Sequence, residues 1–550
     1  MLPVVSLTLF LPLAGAVLIL ALPRPTARTV HSIGIGTAGL TLVGALAMWL
    51  EGVSGAGFSQ VEELEWIPAI GAAYRVGVDG ISLPLVLLSA MLFLVAFIYA
   101  SSLRERPRAY VALVLLLETA AIGTFTALDG ILFYVFFEVS LVSMYFMIAG
   151  WGHEDRQRAA LMFFIYTLLG SLPLLLAILG LYLGSPDPSF DMRAWIGAPP
   201  LSGLAAMLAL IAMLFTFAVK IPSFPVHTWL PAAHVQAPTV GSVILAGVML
   251  KFGTYGLVRF ALQMTPDAFA QAGRVVLAFG VFSALYGAFV ALAQSDLKKM
   301  IAYTSVNHMG YVVIGVAVAA LTLDPDLRAV ALNGATLQMV SHGIVTGALF
   351  FLVGMLQSRA HEREMAAFGG LLGQVPWLGW AFVLSAFASL GLPGLAHFPA
   401  EFQIFLATLN AQPWAIVAII AIVVTAGLYL RAIAAVFLGE RNEKWAAMPD
   451  LDRGETLLIH LGMSGRLYFV SANTPVAKHD HLDFLLSDGQ VLRYTDPRRF
   501  GAVIWIAGDD VSSHKLFASL GPEPLTPEFD ATYLFKRSRR RKVPIKSFLM

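Results

Sequence analysis

Leu204-Ala-Ala-Met-Leu-Ala-Leu-Ile-Ala-Met-Leu-Phe-Thr-Phe-Ala-Val-Lys220-Ile-Pro222-Ser-Phe-Pro225-Val-His227 decides the fold. The sixteen residues before Lys220 carry no charge and one hydroxyl, Thr216. A membrane-spanning helix needs about 20 apolar residues, so this one is cut short by a lysine and two prolines. Proline removes a backbone donor and clashes with the preceding turn. Broken backbone at membrane depth is tolerated only where protein or water lines it. The stretch therefore predicts an interrupted membrane helix with a lysine at the break. A second interruption follows the same logic: Gly391-Leu-Pro-Gly-Leu395 precedes Glu401 inside another apolar run.

Working outward, thirteen runs are long and apolar enough to span. They lie near 3–22, 30–50, 78–101, 109–127, 130–150, 160–183, 204–229, 240–262, 272–293, 300–321, 329–356, 377–409 and 415–438. The composition agrees: 58% hydrophobic residues, 13% charged and a mean hydropathy of +0.78 fall in the polytopic membrane class. A net charge of +1 says nothing about partners. The absence of cysteine removes disulfides, Cys-ligated zinc, iron–sulfur clusters and thiol catalysis from this chain. The first run is too long for a signal-peptide core and lacks a basic start, so it reads as a retained helix.

The loops alternate in charge. Those at 23–28, 103–108, 153–158, 295–299, 357–363 and 439–444 are basic, whereas 51–65, 185–191, 324–326 and 410–413 are acidic or neutral. Basic loops stay on the cytoplasmic side, which puts the N-terminus outside and everything after Gly439 in the cytoplasm. Two interrupted helices five helices apart point to inverted repeats with polar sites at the breaks. On that pattern the chain divides into N-terminal helices at 1–108, one five-helix repeat at 109–262 and a second at 272–438. The expected fold is an all-α polytopic membrane bundle followed by a small mostly-β piece.

Ionisable residues inside the apolar runs carry the chemistry. A charge at bilayer depth costs roughly 2.5–3.5 kcal/mol on insertion scales and is rarely carried without a use. Glu138, Lys220, Lys251, His308, His342 and Glu401 form a row of acid, two lysines, two histidines and acid. Such rows move protons, because burial tunes the ionisation of each member. The plainer reading makes a lone buried histidine a packing group, and it weighs about equally for His308 and His342. It fits Lys220 and Lys251 poorly, since both lie too centrally to reach the interface. Glu118 is a further intramembrane acid whose role stays open, and Arg431 reads as a snorkelling helix-end residue. No phosphate loop or dinucleotide fingerprint occurs, so neither ATP hydrolysis nor redox chemistry is expected here. Cofactor and metal sites are expected to be absent.

After a junction at 439–450 the pattern changes to period two. Residues 456–470 read as a strand with a glycine interruption, and 483–494 as a hairpin turning at Asp488-Gly489. The stretch 536–542, Lys-Arg-Ser-Arg-Arg-Arg-Lys, is strongly basic.

Two resemblances sharpen this reading. The stretches Gly77-Val-Asp-Gly-Ile-Ser-Leu-Pro, Phe136-Phe-Glu, Phe163-Phe-Ile-Tyr-Thr-Leu-Leu-Gly-Ser, Val219-Lys-Ile-Pro, Ala237-Pro-Thr-Val-Gly-Ser and Ser295-Asp-Leu-Lys-Lys-Met-Ile-Ala-Tyr-Thr-Ser-Val-Asn-His quote one pattern. They resemble the antiporter-like M-type (chain 4) subunits of proton-pumping NADH–quinone oxidoreductase, respiratory complex I, over about 1–444. The resemblance implies that Glu138 and Lys220 form an input pair, that Lys251 and His308 connect centrally, and that Glu401 is the exit-side group. It implies a bacterial cell membrane, other membrane subunits as partners, and NADH, FMN, iron–sulfur clusters and quinone held by those partners. Ala232 and Gln236 stand where that family usually has acids, and His397-Phe-Pro-Ala before Glu401 is unusual. The family's last helix is not found.

From about 451 to 550 the chain resembles a middle fragment of the formamidopyrimidine-DNA glycosylases, through His460-Leu-Gly-Met-Ser-Gly, Lys478-His-Asp-His and Leu492-Arg-Tyr-Thr-Asp-Pro-Arg-Arg-Phe-Gly. That resemblance gives Met463, Arg498 and Phe500 as residues that fill the gap left by a flipped base. The N-terminal proline amine and its neighbouring Glu, which cut DNA in that family, have no counterpart, nor do the zinc-finger cysteines. The tail is expected to be inactive, with weak DNA contact at most. Three readings follow: a proton-translocating subunit of complex I; a subunit of a multisubunit cation/proton antiporter or membrane hydrogenase; and a membrane-tethered damaged-DNA-binding protein.

Overall fold

The structure, a computed structural model, describes residues 3–55, 57–446, 448–451, 455–461, 464–471, 474–485 and 490–507. The chain divides into two units, Met1–Met448 and Pro449–Met550.

The first unit begins with α1 (Val4–Ala21) and α2 (Ala27–Glu51), whose outward faces carry Leu18, Leu20, Leu40 and Val43. A hairpin of β1 (Ser59–Ile67) and β2 (Ala72–Val78) follows where the sequence reading expected a loop. Gly71 closes it at φ +68°, a left-handed conformation that suits glycine. Then come α3 (Ser82–Tyr99), α4 (Pro107–Thr126), α5 (Gly130–Trp151), α6 (Arg156–Gly184), the short α7 (Met192–Gly197), α8 (Gly203–Lys220) and α9 (Trp229–Gln236). One continuous rod, Thr239–Leu262, contains α10 (Thr239–Ile244) and α11 (Leu250–Gly256), each followed by a π-helical stretch. After it run α12 (Pro266–Leu292), α13 (Leu297–Leu321), α14 (Pro325–Ala360), α15 (Pro376–Ser389), α16 (Phe398–Ala411) and α17 (Ile420–Val436).

Aspartates start many of these helices. Asp129, Asp191, Asp296 and Asp324 each accept first-turn backbone N–H groups, the standard remedy for unpaired donors at a helix start. Among the described residues, twelve helices are long and apolar enough to span a membrane. The thirteenth expected run, 377–409, is the pair α15 and α16. The Thr239–Leu262 rod is buried along its whole length, and α13 nearly so. A helix apolar on all sides and enclosed by others is what a bundle centre requires. Residues facing outward on α5, α6, α8 and α12, such as Phe146, Leu176, Leu208 and Phe279, are large and apolar, as a lipid-facing surface demands.

The second unit holds two small antiparallel sheets. β3 (Glu455–His460) pairs with β7 (Ala502–Ala507). β4 (Arg466–Val470), β6 (Val491–Thr495) and β5 (Asp480–Leu485) form the other, with β6 central. The stretch expected as one interrupted strand is thus two strands in different sheets. The expected hairpin is real as the β5–β6 pair. Its turn at Asp488-Gly489, Met463 and the basic stretch 536–542 lie outside the described residues.

Candidate functional site

Both helix breaks fall where the prolines and glycines lie, and both leave backbone groups that side chains satisfy. At the first, α8 ends on Lys220, at the helix terminus whose dipole favours a cation. The indole of Trp229 donates to the Val219 carbonyl at 3.0 Å, and the Phe224 N–H donates to Ser283 Oγ at 3.2 Å. At the second, the Ser389 carbonyl at the end of α15 lies 3.0 Å from Nδ1 of His397, just before α16. Gly391 turns there at φ +77°, and its missing Cβ leaves room for the Glu401 carboxylate.

Lys220 and Glu138 do not touch. The Lys220 ammonium lies over the ring of Phe137, 4.4 Å from its centre, a cation–π contact. Glu138 is half-buried beside Ser171 of α6, and one of its carboxylate oxygens has no hydrogen-bond partner. The expected input pair makes no direct salt bridge here, and Lys220 rests on the Phe137 ring. Phe137 in turn packs on Phe252, centres 6.2 Å apart, and Phe252 on Phe125 at 5.2 Å.

Lys251 is completely buried on the central rod. Two contacts hold it. Its Nζ donates to the Ala246 carbonyl at 2.5 Å and lies 2.7 Å from His342 Nδ1. The first partner sits in the π stretch Leu245–Met249, whose wider turn changes the usual pattern of carbonyl pairing. Gly253 brings the rod against the first break, where an added Cβ would come within 2.8 Å of the Ile221 nitrogen.

From Lys251 the buried groups run on without a gap. His342 lies 5.6 Å from His308, ring centre to ring centre. His308 lies 4.6 Å from His397. Nδ1 of His397 is 3.7 Å from Oε1 of Glu401, one helical turn along α16. Nε2 of His342, Nδ1 of His308 and Nε2 of His397 are buried without hydrogen-bond partners. Such bare imidazole nitrogens can take up protons. His308, His397 and Glu401 each bring one polar side-chain atom within 4.8 Å of the others.

Of the six expected residues, the structure joins Lys251, His342, His308 and Glu401 in one cluster and sets Glu138 and Lys220 apart. His397 was missed as a member. Its only signal was its place four residues before Glu401. Lys298 and His234 were also missed. Lys298 is buried and donates to the Ala237 carbonyl at 2.8 Å. His234 stacks on Phe350 at 4.5 Å, with both ring nitrogens unpartnered. Glu118 is fully buried with both carboxylate oxygens unpartnered. Arg431 is exposed and donates to the Gln294 carbonyl. In the tail, Phe500 is exposed, and Asp496 accepts from Ser464 Oγ at 2.6 Å and from the Gly501 N–H at 2.8 Å.

Comparison with known proteins places the chain among membrane subunits of respiratory complexes. The chain is 39% identical over 452 residues to NADH-quinone oxidoreductase subunit M of Rhodobacter capsulatus, covering 79% of this chain and 85% of that protein. It is 37% identical over 505 residues to the F(420)H(2) dehydrogenase subunit M of Methanosarcina mazei, covering 90% of this chain and 98% of that one. A chain of respiratory complex I from Thermus thermophilus superposes with a TM-score of 0.73 at 32% identity, covering 82% of this chain and 91% of its own length. Residues 440–503 match the formamidopyrimidine-DNA glycosylase N-terminal domain. Residues 127–428, which hold both helix breaks and the whole buried cluster, match the NADH:quinone oxidoreductase/Mrp antiporter membrane domain, and the chain belongs to that family.

Proposed function

We propose that the chain is a proton-translocating membrane subunit of a respiratory NADH–quinone oxidoreductase. One observation carries this: a fully buried lysine in contact with a histidine, followed by closely spaced titratable groups that end at an acid on a broken helix. In this reading Glu138 and Lys220 receive the drive from a neighbouring subunit, and Lys251, His342, His308 and Glu401 pass protons. The half-burial of Glu138 suits a group near a subunit boundary. NADH, FMN, iron–sulfur clusters and quinone belong to partner subunits, whose redox chemistry supplies the energy. The basic-loop pattern supports an outside N-terminus in a bacterial cell membrane. The tail has no glycosylase activity in this reading.

An antiporter or hydrogenase subunit would use the same central lysines. The complex purified through a tag on this chain decides between them. In proteoliposomes, NADH-driven quinone reduction should acidify the lumen. A preparation free of redox partners that exchanges cations for protons would establish the antiporter reading instead.

A further inference from the structure

We propose that His397 is a proton carrier joining His308 to Glu401, a role that rests on the translocation reading above. His397 sits at the second break, on the residue before α16 begins. Its ring lies edge-to-face with His308 at 4.6 Å and parallel to His342 at 6.4 Å. Its Nδ1 faces two groups, the Ser389 carbonyl at 3.0 Å and Oε1 of Glu401 at 3.7 Å. It is completely buried, and its Nε2 has no partner.

These contacts fix the tautomer. A carbonyl only accepts, so Nδ1 carries the hydrogen and Nε2 is bare. A proton passed on by the neighbouring His308 and added at the unpartnered Nε2 makes an imidazolium. The Nδ1 proton then moves to the Glu401 carboxylate, which the ring already faces. One proton has passed, no electrons have moved, and the ring is left neutral with its hydrogen on Nε2. The break makes this geometry available, because an unbroken helix would pair the Ser389 carbonyl with backbone and leave nothing to hold the ring.

The plainer role is a cap: His397 merely satisfies the Ser389 carbonyl. Glutamine can also donate to that carbonyl but cannot relay a proton. The experiment uses the assembled complex in proteoliposomes with His397→Gln, His397→Gly and Lys251→Ala, with and without added imidazole. His397→Gln should assemble and pump at least about tenfold less, short of the largest losses for a proton-transfer group because His308 itself lies near Glu401. His397→Gly should lose pumping, and imidazole should restore it. Lys251→Ala should lose pumping without rescue. Normal pumping by both His397 variants with loss in Lys251→Ala would overturn the inference and spare the translocation reading. Normal pumping by all three would overturn the translocation reading itself. Normal pumping by His397→Gln beside an unrescued His397→Gly, or failure of both to assemble, would make His397 a cap and overturn the inference.

Discussion

Nζ of Lys251 lies 2.7 Å from Nδ1 of His342, a polar contact between the buried central rod and α14. Both groups are completely enclosed. A hydrogen bond between two bases can hold one excess proton on either partner, and a dry surrounding strengthens it.

That contact predicts the behaviour of Lys251. Lys251→Ala should cut pumping by about a hundredfold, the low end of what a positioned proton-transfer group contributes. Lys251→Arg should not rescue it, because a guanidinium keeps its proton. Pumping is read as lumen acidification per quinone reduced. Full activity in the arginine variant would restrict Lys251 to a fixed charge.

The separation of Glu138 from Lys220 gives a second expectation. If the two act together, Glu138→Gln should strongly reduce pumping and leave assembly intact. Phe137→Leu, which keeps the bulk but removes the π-face, should weaken pumping by a smaller factor, since a cation–π contact is worth about 0.5–2 kcal/mol. Wild-type stoichiometry in the Glu138→Gln complex would remove Glu138 from the mechanism.

Gly253 offers a packing test that changes no titratable group. A Cβ there would reach 2.8 Å from the Ile221 nitrogen, so the rod must shift off the break. Gly253→Val should lower stability by about 1–3 kcal/mol, the usual cost of overpacking. The readout is the thermal midpoint of the purified complex. An unchanged midpoint would mean the rod and the break do not abut.

The β1–β2 hairpin supplies a pH dependence. Arg75 binds Glu63 at 2.5 Å, and this contact first, with Arg193 at 2.9 Å, holds the Glu63 carboxyl below its ordinary value against a smaller upward pull from burial. A depressed folded-state value means the unfolded state binds more protons. The contribution is therefore full above the unfolded carboxylate range, near pH 4.3, and fades as pH falls below it. Thermal stability of wild type should drop between about pH 5 and pH 3. Arg75→Gln should start lower and drop less. Glu63 is partly exposed, so the difference will be small and weaker in high salt. Parallel curves for the two proteins would contradict this account.

Much of the site was legible because membrane burial makes charge conspicuous. Lys220 and Glu401 stand out beside Pro222, Pro225 and Pro393, and local chemistry alone places both breaks. The Lys251–His342 contact was not legible, since 91 residues separate the partners and only helix packing brings them together. Phe137 gave no warning that its ring would receive Lys220, because phenylalanine in an apolar helix reads as core. The π stretch at Leu245–Met249 has no sequence mark, for its residues suit an ordinary helix equally well. The β1–β2 hairpin was hidden by Glu62, Glu63 and Glu65, which made an exposed strand look like an acidic loop. His460 and Arg466 lie on strands of different sheets, and the Gly465 N–H bonds back to the Leu461 carbonyl at 2.7 Å, a turn that period-two patterning does not register.

The tail should not cut DNA. Excision in the resembled glycosylases needs an amine at the chain start to attack the sugar carbon and a neighbouring carboxylate to handle protons. Here the stretch that matches the glycosylase domain, 440–503, lies within the chain after the membrane helices, so its first residue carries no free amine. In the tail, the nearby carboxylates are committed elsewhere. Asp480 and Asp483 pair with Arg493 at 3.2 and 2.8 Å, and Asp496 holds Ser464 and the Gly501 N–H. Arg498 and the exposed Phe500 could enter a gap in a duplex but break no bond. Any binding should rest on phosphate contacts and fall steeply with salt. The test is a nicking assay on a duplex carrying 8-oxoguanine, using the whole chain in detergent at low and moderate salt. No lesion-dependent product is expected at either. Strand cleavage trapped covalently by borohydride would reverse this and give the chain a second, independent activity.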